Sequence, residues 1–158
     1  VILAATPIVH LLFRQMRLNW LDKEAFFRRL IQSLAAAVFV ALAIAGAGVL
    51  FAPGIIALIF GQAYHPAADL LPLLLVALIF LLPNFILTQG IIALNGEKYY
   101  ALAASLCAVF NVGLNFFLIP LYSAKGAAVS TVATEVLLTL LAGGWLIRSR
   151  RGRALQRT

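Results

Sequence analysis

Charged side chains are scarce in this sequence. Only 11% of its 158 residues are Asp, Glu, Lys or Arg, whereas 64% are hydrophobic, and the mean hydropathy is +1.05. Soluble domains are about 25% charged and about half apolar. A soluble fold of this length would therefore lack the polar side chains that its surface needs. The composition excludes an ordinary soluble domain and predicts a chain that is solvated by lipid.

Cysteine is nearly absent as well. The single Cys107 lies within an apolar run and cannot form an internal disulfide. No group of His, Cys, Asp and Glu has the spacing of metal ligands, so the sequence predicts no metal site and no cofactor. The first residues lack the basic segment that opens a signal peptide. Because the chain starts at Val1 inside a hydrophobic run, we interpret it as part of a longer protein.

The sequence consists mainly of long uncharged runs. A membrane-spanning helix needs about 20 apolar residues, and the runs predict an all-α, polytopic transmembrane helix bundle of about five spans. The end of a first span is placed in 1–14, and four further spans are placed at 31–52, 67–94, 98–119 and 125–147. Helix-breaking signals are expected to end the second, third and fourth spans, at Pro53-Gly54, Asn95-Gly96 and Pro120.

Three segments lie outside these spans. Residues 19–30 (NWLDKEAFFRRL) gather apolar side chains loosely on one side, which predicts an amphipathic helix at the cytoplasmic membrane surface. Residues 55–65 predict a short apolar segment on the outer side. Residues 148–158 are predicted to form a basic cytoplasmic tail.

The net charge of +7 is concentrated near the two ends of the chain. The link after the first span carries five Lys or Arg, the next link carries none, and the segment after the last span carries five Arg. Basic links face the cytoplasm, so that first link and the C-terminus are expected there, with anionic lipid bound at the basic tail. Neither basic block has interleaved aromatic residues or a basic recognition helix, so we expect no nucleic-acid partner.

Several segments resemble a known family. These are residues 50–65 (LFAPGIIALIFGQAYH), residues 93–98 (ALNGEK) and residues 111–135 (NVGLNFFLIPLYSAKGAAVSTVATE). The last has two Asn on a helix, an Ile-Pro ending, a turn, Gly-Ala-Ala and an acidic residue. In this pattern and order the chain resembles the C-terminal part of polysaccharide biosynthesis proteins, the O-antigen flippases, within the superfamily of multidrug exporters and the lipid II flippase. Ser123 departs from the pattern, because the family has Gly in that turn.

The resemblance implies a transporter and not an enzyme. The whole protein would have roughly a dozen helices in two bundles, and this chain would supply the last five. Alternating access of the two bundles would flip a lipid-linked oligosaccharide across the bacterial inner membrane, with polysaccharide assembly proteins as further partners. The substrate carries a pyrophosphate, and no Lys or Arg lies mid-span here, so the anion-binding charges are expected in the missing half.

Two other functions stay open at this point. A multidrug exporter or lipid II flippase of the same superfamily would share the topology. A membrane-embedded polysaccharide polymerase or ligase is less favoured, because it should have a long outer loop with catalytic side chains. The link predicted to face outward offers only His65 and no charge before Asp69.

Polar residues inside the spans are the candidate site residues, and none is predicted to be catalytic. Glu135 lies near the middle of the last span, where an ionised carboxylate costs several kcal/mol. Thr131 and Thr139 share its helix face at four-residue spacing. Two interpretations stay open: a cavity-lining cation or proton site that couples flipping to a gradient, or a packed Glu that hydrogen-bonds a neighbouring helix.

Two further polar stripes follow the preceding spans. Asn111 and Asn115 are four residues apart, and Cys107 shares their stripe. On the third span the stripe consists of Asn84, Thr88 and Asn95, with Gln89 beside it. Such side chains either hydrogen-bond between helices or line a hydrophilic cavity that contacts sugars. Pro83 is predicted to kink its helix and is the candidate hinge.

Overall fold

The computed structural model describes residues 23–60 and 70–152 and folds them into four α-helices. In chain order these are α1 (Lys23–Phe60), α2 (Leu71–Ala93), α3 (Glu97–Tyr122) and α4 (Ala124–Gly152). Each is long and apolar enough to cross a membrane, and the described part of the chain contains no strand. The prediction of an all-α, polytopic transmembrane bundle is confirmed. The span end predicted in 1–14 lies outside the described residues, as do residues 153–158 of the tail.

α1 is longer than the span predicted within it. The helix passes through Pro53-Gly54 and ends at Phe60, so this pair does not end the helix, whereas the candidate span within it, Glu24–Phe51, stops just before the pair. Residues 23–30 of the predicted surface helix are also the first turns of α1, with no break before the span. A proline removes one main-chain hydrogen bond, which helices in membranes tolerate. At 1.5 Å per residue α1 is about 57 Å long, longer than the roughly 30 Å hydrocarbon core.

α3 also continues past a proline that was predicted to end its span. Pro120 lies inside the helix, which ends at Tyr122, so Pro120 is not the stop that the sequence suggested. The helix ends instead because Ser123 adopts φ 52° and ψ −130°. Positive φ interrupts helical geometry and favours glycine. This is the turn position at which the resemblance leads one to expect Gly.

The turn between α2 and α3 is equally tight. Asn95 has φ 57°, a left-handed conformation that Asn tolerates better than most residues. Asn95 therefore lies past the end of α2, and its predicted place on the polar stripe of that helix is wrong. Gly96 packs so closely on α4 that a Cβ there would lie 2.7 Å from Cη2 of Trp145.

The packing order brings three segments together at one end of the bundle. α2 lies between α1 and α4, and α3 packs on α4 with sparse contact to α2. The main core joins the start of α1, the end of α2 and the end of α4, through Phe26, Leu30, Ile86, Leu87, Ile91, Ala93, Leu94, Ala142 and Leu146. Pro83 is buried inside the continuous α2.

Large apolar side chains cover much of the outer surface. Phe39, Leu50 and Phe116 are each about three-quarters exposed, at 75%, 77% and 76%. Monomeric soluble proteins rarely expose contiguous apolar patches of more than a few hundred Å². A lipid environment solvates such side chains without cost, which agrees with the four candidate spans.

Candidate functional site

Glu135 lies near the middle of α4 and is hydrogen-bonded to Asn84 of α2. The Asn84 side-chain Nδ2 donates to Oε2 of Glu135 at 2.7 Å and to its main-chain carbonyl oxygen at 2.8 Å. Asn84 is only 3% exposed, so its amide is committed to this contact. The two residues are 51 positions apart in the sequence. α4 reaches Asn84 because it packs along α2.

Thr139 completes this arrangement one helical turn after Glu135. Its hydroxyl lies 2.8 Å from Oδ1 of Asn84 and 2.9 Å from the carbonyl oxygen of Glu135. A hydroxyl has a single proton to donate, so Thr139 serves one of these two acceptors at a time. Asn84, Glu135 and Thr139 thus form one polar cluster between α2 and α4, which we call the Glu135 cluster.

The Glu135 cluster contains one ionisable group and only neutral partners. Among the described residues no Lys, Arg or His pairs with Glu135, and no group of three acidic, His or Cys side chains could hold a metal ion. An unpaired carboxylate at this depth is stabilised by a proton, a cation or water. The carboxylate, amide and hydroxyl oxygens here are hard donors, which suit a proton or a small hard cation.

Both interpretations of Glu135 meet this geometry. The hydrogen bond to a neighbouring helix is present, as expected for a packed glutamate. The half-buried carboxylate with uncharged partners is also what an ion-binding group requires. Its coupling role stays a prediction.

Three predicted cavity residues do not join the cluster. Thr131 donates to the carbonyl oxygen of Ala127 in its own helix, at 2.9 Å. Thr88 and Gln89 are half-buried, and the structure shows no hydrogen bond from either to a described residue. Their polar atoms are not enclosed. They are open to whatever covers this surface of α2.

Asn111 and Asn115 form a second polar cluster, between α3 and α4. Asn111 Nδ2 donates to Oγ1 of Thr134 at 3.0 Å, and Asn115 Nδ2 donates to Oδ1 of Asn111 at 2.8 Å. The hydroxyl of Ser130, which is fully buried, donates to Oδ1 of Asn115. Ser130 and Thr134 were not predicted from the sequence to take part in a polar cluster. The four-residue spacing that they share with the Asn pair was the available signal.

The two clusters lie on different sides of α4 and bind different helices. Ser130 and Thr134 bind α3, whereas Glu135 and Thr139 bind α2. The second cluster consists entirely of neutral groups with satisfied hydrogen bonds, as expected for interhelical packing. The first contains the acid. We therefore interpret the cluster between α3 and α4 as structural, and the Glu135 cluster as the candidate functional site.

Comparison with known proteins gives no family model, no curated protein and no solved structure that matches this chain. The flippase resemblance accordingly rests on the sequence segments given above.

Proposed function

We propose that this chain is the C-terminal bundle of a bacterial inner-membrane transporter that flips lipid-linked oligosaccharide by alternating access. The order and spacing of the segments in residues 50–65, 93–98 and 111–135 support the family. Four helices able to span a membrane support a multi-pass protein. The chain acts as a carrier in this proposal and not as an enzyme.

The Glu135 cluster is the observation that carries the proposal. A carboxylate near mid-membrane is costly, and acids at this depth commonly mark ion pathways or proton relays. Among the described residues the Glu135 carboxylate accepts a hydrogen bond from the Asn84 amide, whose own oxygen lies 2.8 Å from the Thr139 hydroxyl. A proton or cation that binds here changes the charge of the contact between α2 and α4. Such a change would couple a gradient to bundle movement.

The placement of charges supports the proposed orientation. Arg28, Lys98 and Arg150 lie at one end of the described bundle, and Lys125 lies in the first turn of α4 at the other end. Positively charged segments favour the cytoplasmic side. The C-terminus is accordingly proposed to face the cytoplasm.

Replacement of Glu135 by Gln in the full-length protein tests this function. Gln keeps an oxygen that accepts from Asn84, so the packing of α2 on α4 should survive while the charge is lost. In cells that depend on this protein, surface polysaccharide should fall at least tenfold. The matched control is Glu97→Gln, which makes the same change at an exposed position outside the membrane core and should leave export normal.

The contrary results are equally specific. Normal export by Glu135→Gln across a range of external pH and sodium would exclude a coupling role for this residue. Unchanged surface polysaccharide after deletion of the gene, together with increased drug sensitivity, would favour a multidrug exporter. A block in cell-wall synthesis would instead favour a lipid II flippase.

A further inference from the structure

Basic side chains that are distant in the sequence converge at one end of the bundle. The start of α1 and the end of α4 meet there, because Phe26 and Leu30 share the core with Leu146. The turn between α2 and α3 joins them, since Gly96 packs against Trp145. The exposed cations on these segments include Arg28, Lys98, Arg148, Arg150 and Arg151. We call this set of five the basic surface.

A contact between helices fixes one of these cations in place. The guanidinium carbon of Arg150 lies 5.7 Å from the centroid of the Phe27 ring, within the range of a cation–π interaction. Arg150 is thereby held beside the start of α1, where Arg28 is the next residue in sequence after Phe27. The basic residues of α4 consequently belong to the same surface as those of α1.

Aromatic side chains place the basic surface at the level of lipid headgroups. Tyr99 and Trp145 stack with ring centroids 5.6 Å apart, and the Tyr99 hydroxyl donates to the carbonyl oxygen of Leu141 at 2.8 Å. Tyr and Trp concentrate at the boundary between hydrocarbon and headgroups. Lys98 precedes Tyr99, and Arg148 lies one turn past Trp145, so these charges lie just outside that boundary.

Few acids balance these cations. Among the side chains that the structure describes, Glu24 and Glu97 are the acids on these segments. Like charges gathered in one place repel each other, and a bound anion removes that repulsion. Guanidinium groups bind phosphate through paired N–H donors, and basic pockets between membrane helices on the cytoplasmic side bind acidic headgroups.

We propose that the basic surface binds the phosphate of an acidic glycerophospholipid in the adjoining leaflet. The site is composite, because α1, α3 and α4 each contribute cations to it. It differs from a simple basic tail in using Arg28 and Lys98, which lie far from the C-terminus in sequence. The inference stands independently of the transport function proposed above.

Binding to labelled phosphatidylglycerol tests this site, with the full-length protein purified in neutral detergent. The lipid should bind more tightly than phosphatidylcholine with the same chains, and added salt should weaken it. The triple variant Arg28→Gln, Arg148→Gln, Arg150→Gln should lose about fivefold in affinity per residue, the equivalent of about 1 kcal/mol for each basic residue. Lys125→Gln, at the opposite end, is the matched control and should bind normally.

Further measurements check the folding of the variants and the kind of ligand bound. All replaced side chains are exposed, so helical circular dichroism should stay unchanged, and loss of the contact between Arg150 and Phe27 should lower the melting temperature only slightly. Arg150→Lys keeps the charge but loses the paired guanidinium donors, so its affinity should lie between those of Arg150→Gln and the unchanged protein. Equal affinity for the two lipids, or an unaffected triple variant, would overturn the proposal. So would a tenfold preference for a polyprenyl pyrophosphate, since the surface would then be a substrate site.

Discussion

Asn84 contacts both the side chain and the main chain of Glu135 with a single amide nitrogen. The bond to the main-chain oxygen does not depend on the charge of the carboxyl group. The bond to Oε2 does, because hydrogen bonds to an ionised acceptor are roughly twice as strong as neutral ones. The contact between α2 and α4 therefore has one hydrogen bond that is independent of the charge of Glu135 and one whose strength depends on that charge.

Replacement of Asn84 by Leu should destabilise the bundle by about 1–2 kcal/mol. The change removes both bonds to Glu135 and leaves its carboxylate without a donor. The melting temperature in detergent measures the effect. Thr88→Val, one turn away on the same helix, is the control and should change little, because Thr88 shows no hydrogen bond to a described residue.

The double variant Asn84→Leu, Glu135→Leu separates hydrogen bonding from packing. It should be more stable than Asn84→Leu alone, because replacing both partners by apolar groups removes the unsatisfied carboxylate. If the double variant is less stable than Asn84→Leu by a further 1 kcal/mol or more, other groups satisfy the carboxylate. The hydrogen bond from Asn84 is then not the main stabilising contact of Glu135.

The helices could be predicted from the sequence because long hydrophobic runs indicate which segments are surrounded by lipid. Their ends were less predictable. Pro53-Gly54 and Pro120 are strong turn signals in water, yet both lie inside helices here, since lipid gives the chain no alternative hydrogen-bonding partner. Ser123 and Asn95 end or connect helices through positive φ. Ser in particular has no strong preference for positive φ.

The candidate site was predictable only in part. Thr139 was placed on the face of Glu135 by its four-residue spacing, but Asn84 lies on another helix, and its register against α4 depends on packing. The α3–α4 cluster was more accessible to prediction. A single-residue turn at Ser123 makes an antiparallel hairpin, in which Asn115, eight residues before it, falls opposite Ser130, seven residues after it.

Replacement of Ser123 by Gly should stabilise the protein by about 1 kcal/mol. Ser123 holds φ 52°, and a non-glycine residue in such a conformation costs about 1–3 kcal/mol, part of which Gly loses again to chain entropy. Thermal melting in detergent measures the gain. Ser123→Ala retains a Cβ and should therefore show no gain, and equal stabilisation by both variants would contradict the backbone explanation.

Replacement of Gly126 by Ala should be strongly destabilising, by about 3 kcal/mol or more. A Cβ at this position would overlap the main-chain carbonyl of Leu118, and main-chain atoms cannot move aside as a flexible side chain can. Gly113→Ala is the matched control, since a Cβ added at Gly113 would have no neighbouring atom within 4 Å among the described residues and Ala favours helix. Comparable melting temperatures for the two variants would show that α3 and α4 are less closely packed at this turn.

The orientation of the bundle can be tested by labelling single cysteines from one side of the membrane. Cys107 is buried and is first replaced by Ala, so that each variant carries one reactive thiol. Lys125→Cys, at the turn between α3 and α4, should react with a membrane-impermeant maleimide in intact spheroplasts. Lys98→Cys and Arg150→Cys, at the opposite end, should react only after the membrane is opened. All three positions are exposed, so accessibility of the side chain does not limit the reaction. The reverse labelling pattern would place the basic surface outside the cell, where the positive charges would oppose the usual topology rule, and the proposed cytoplasmic C-terminus would be wrong.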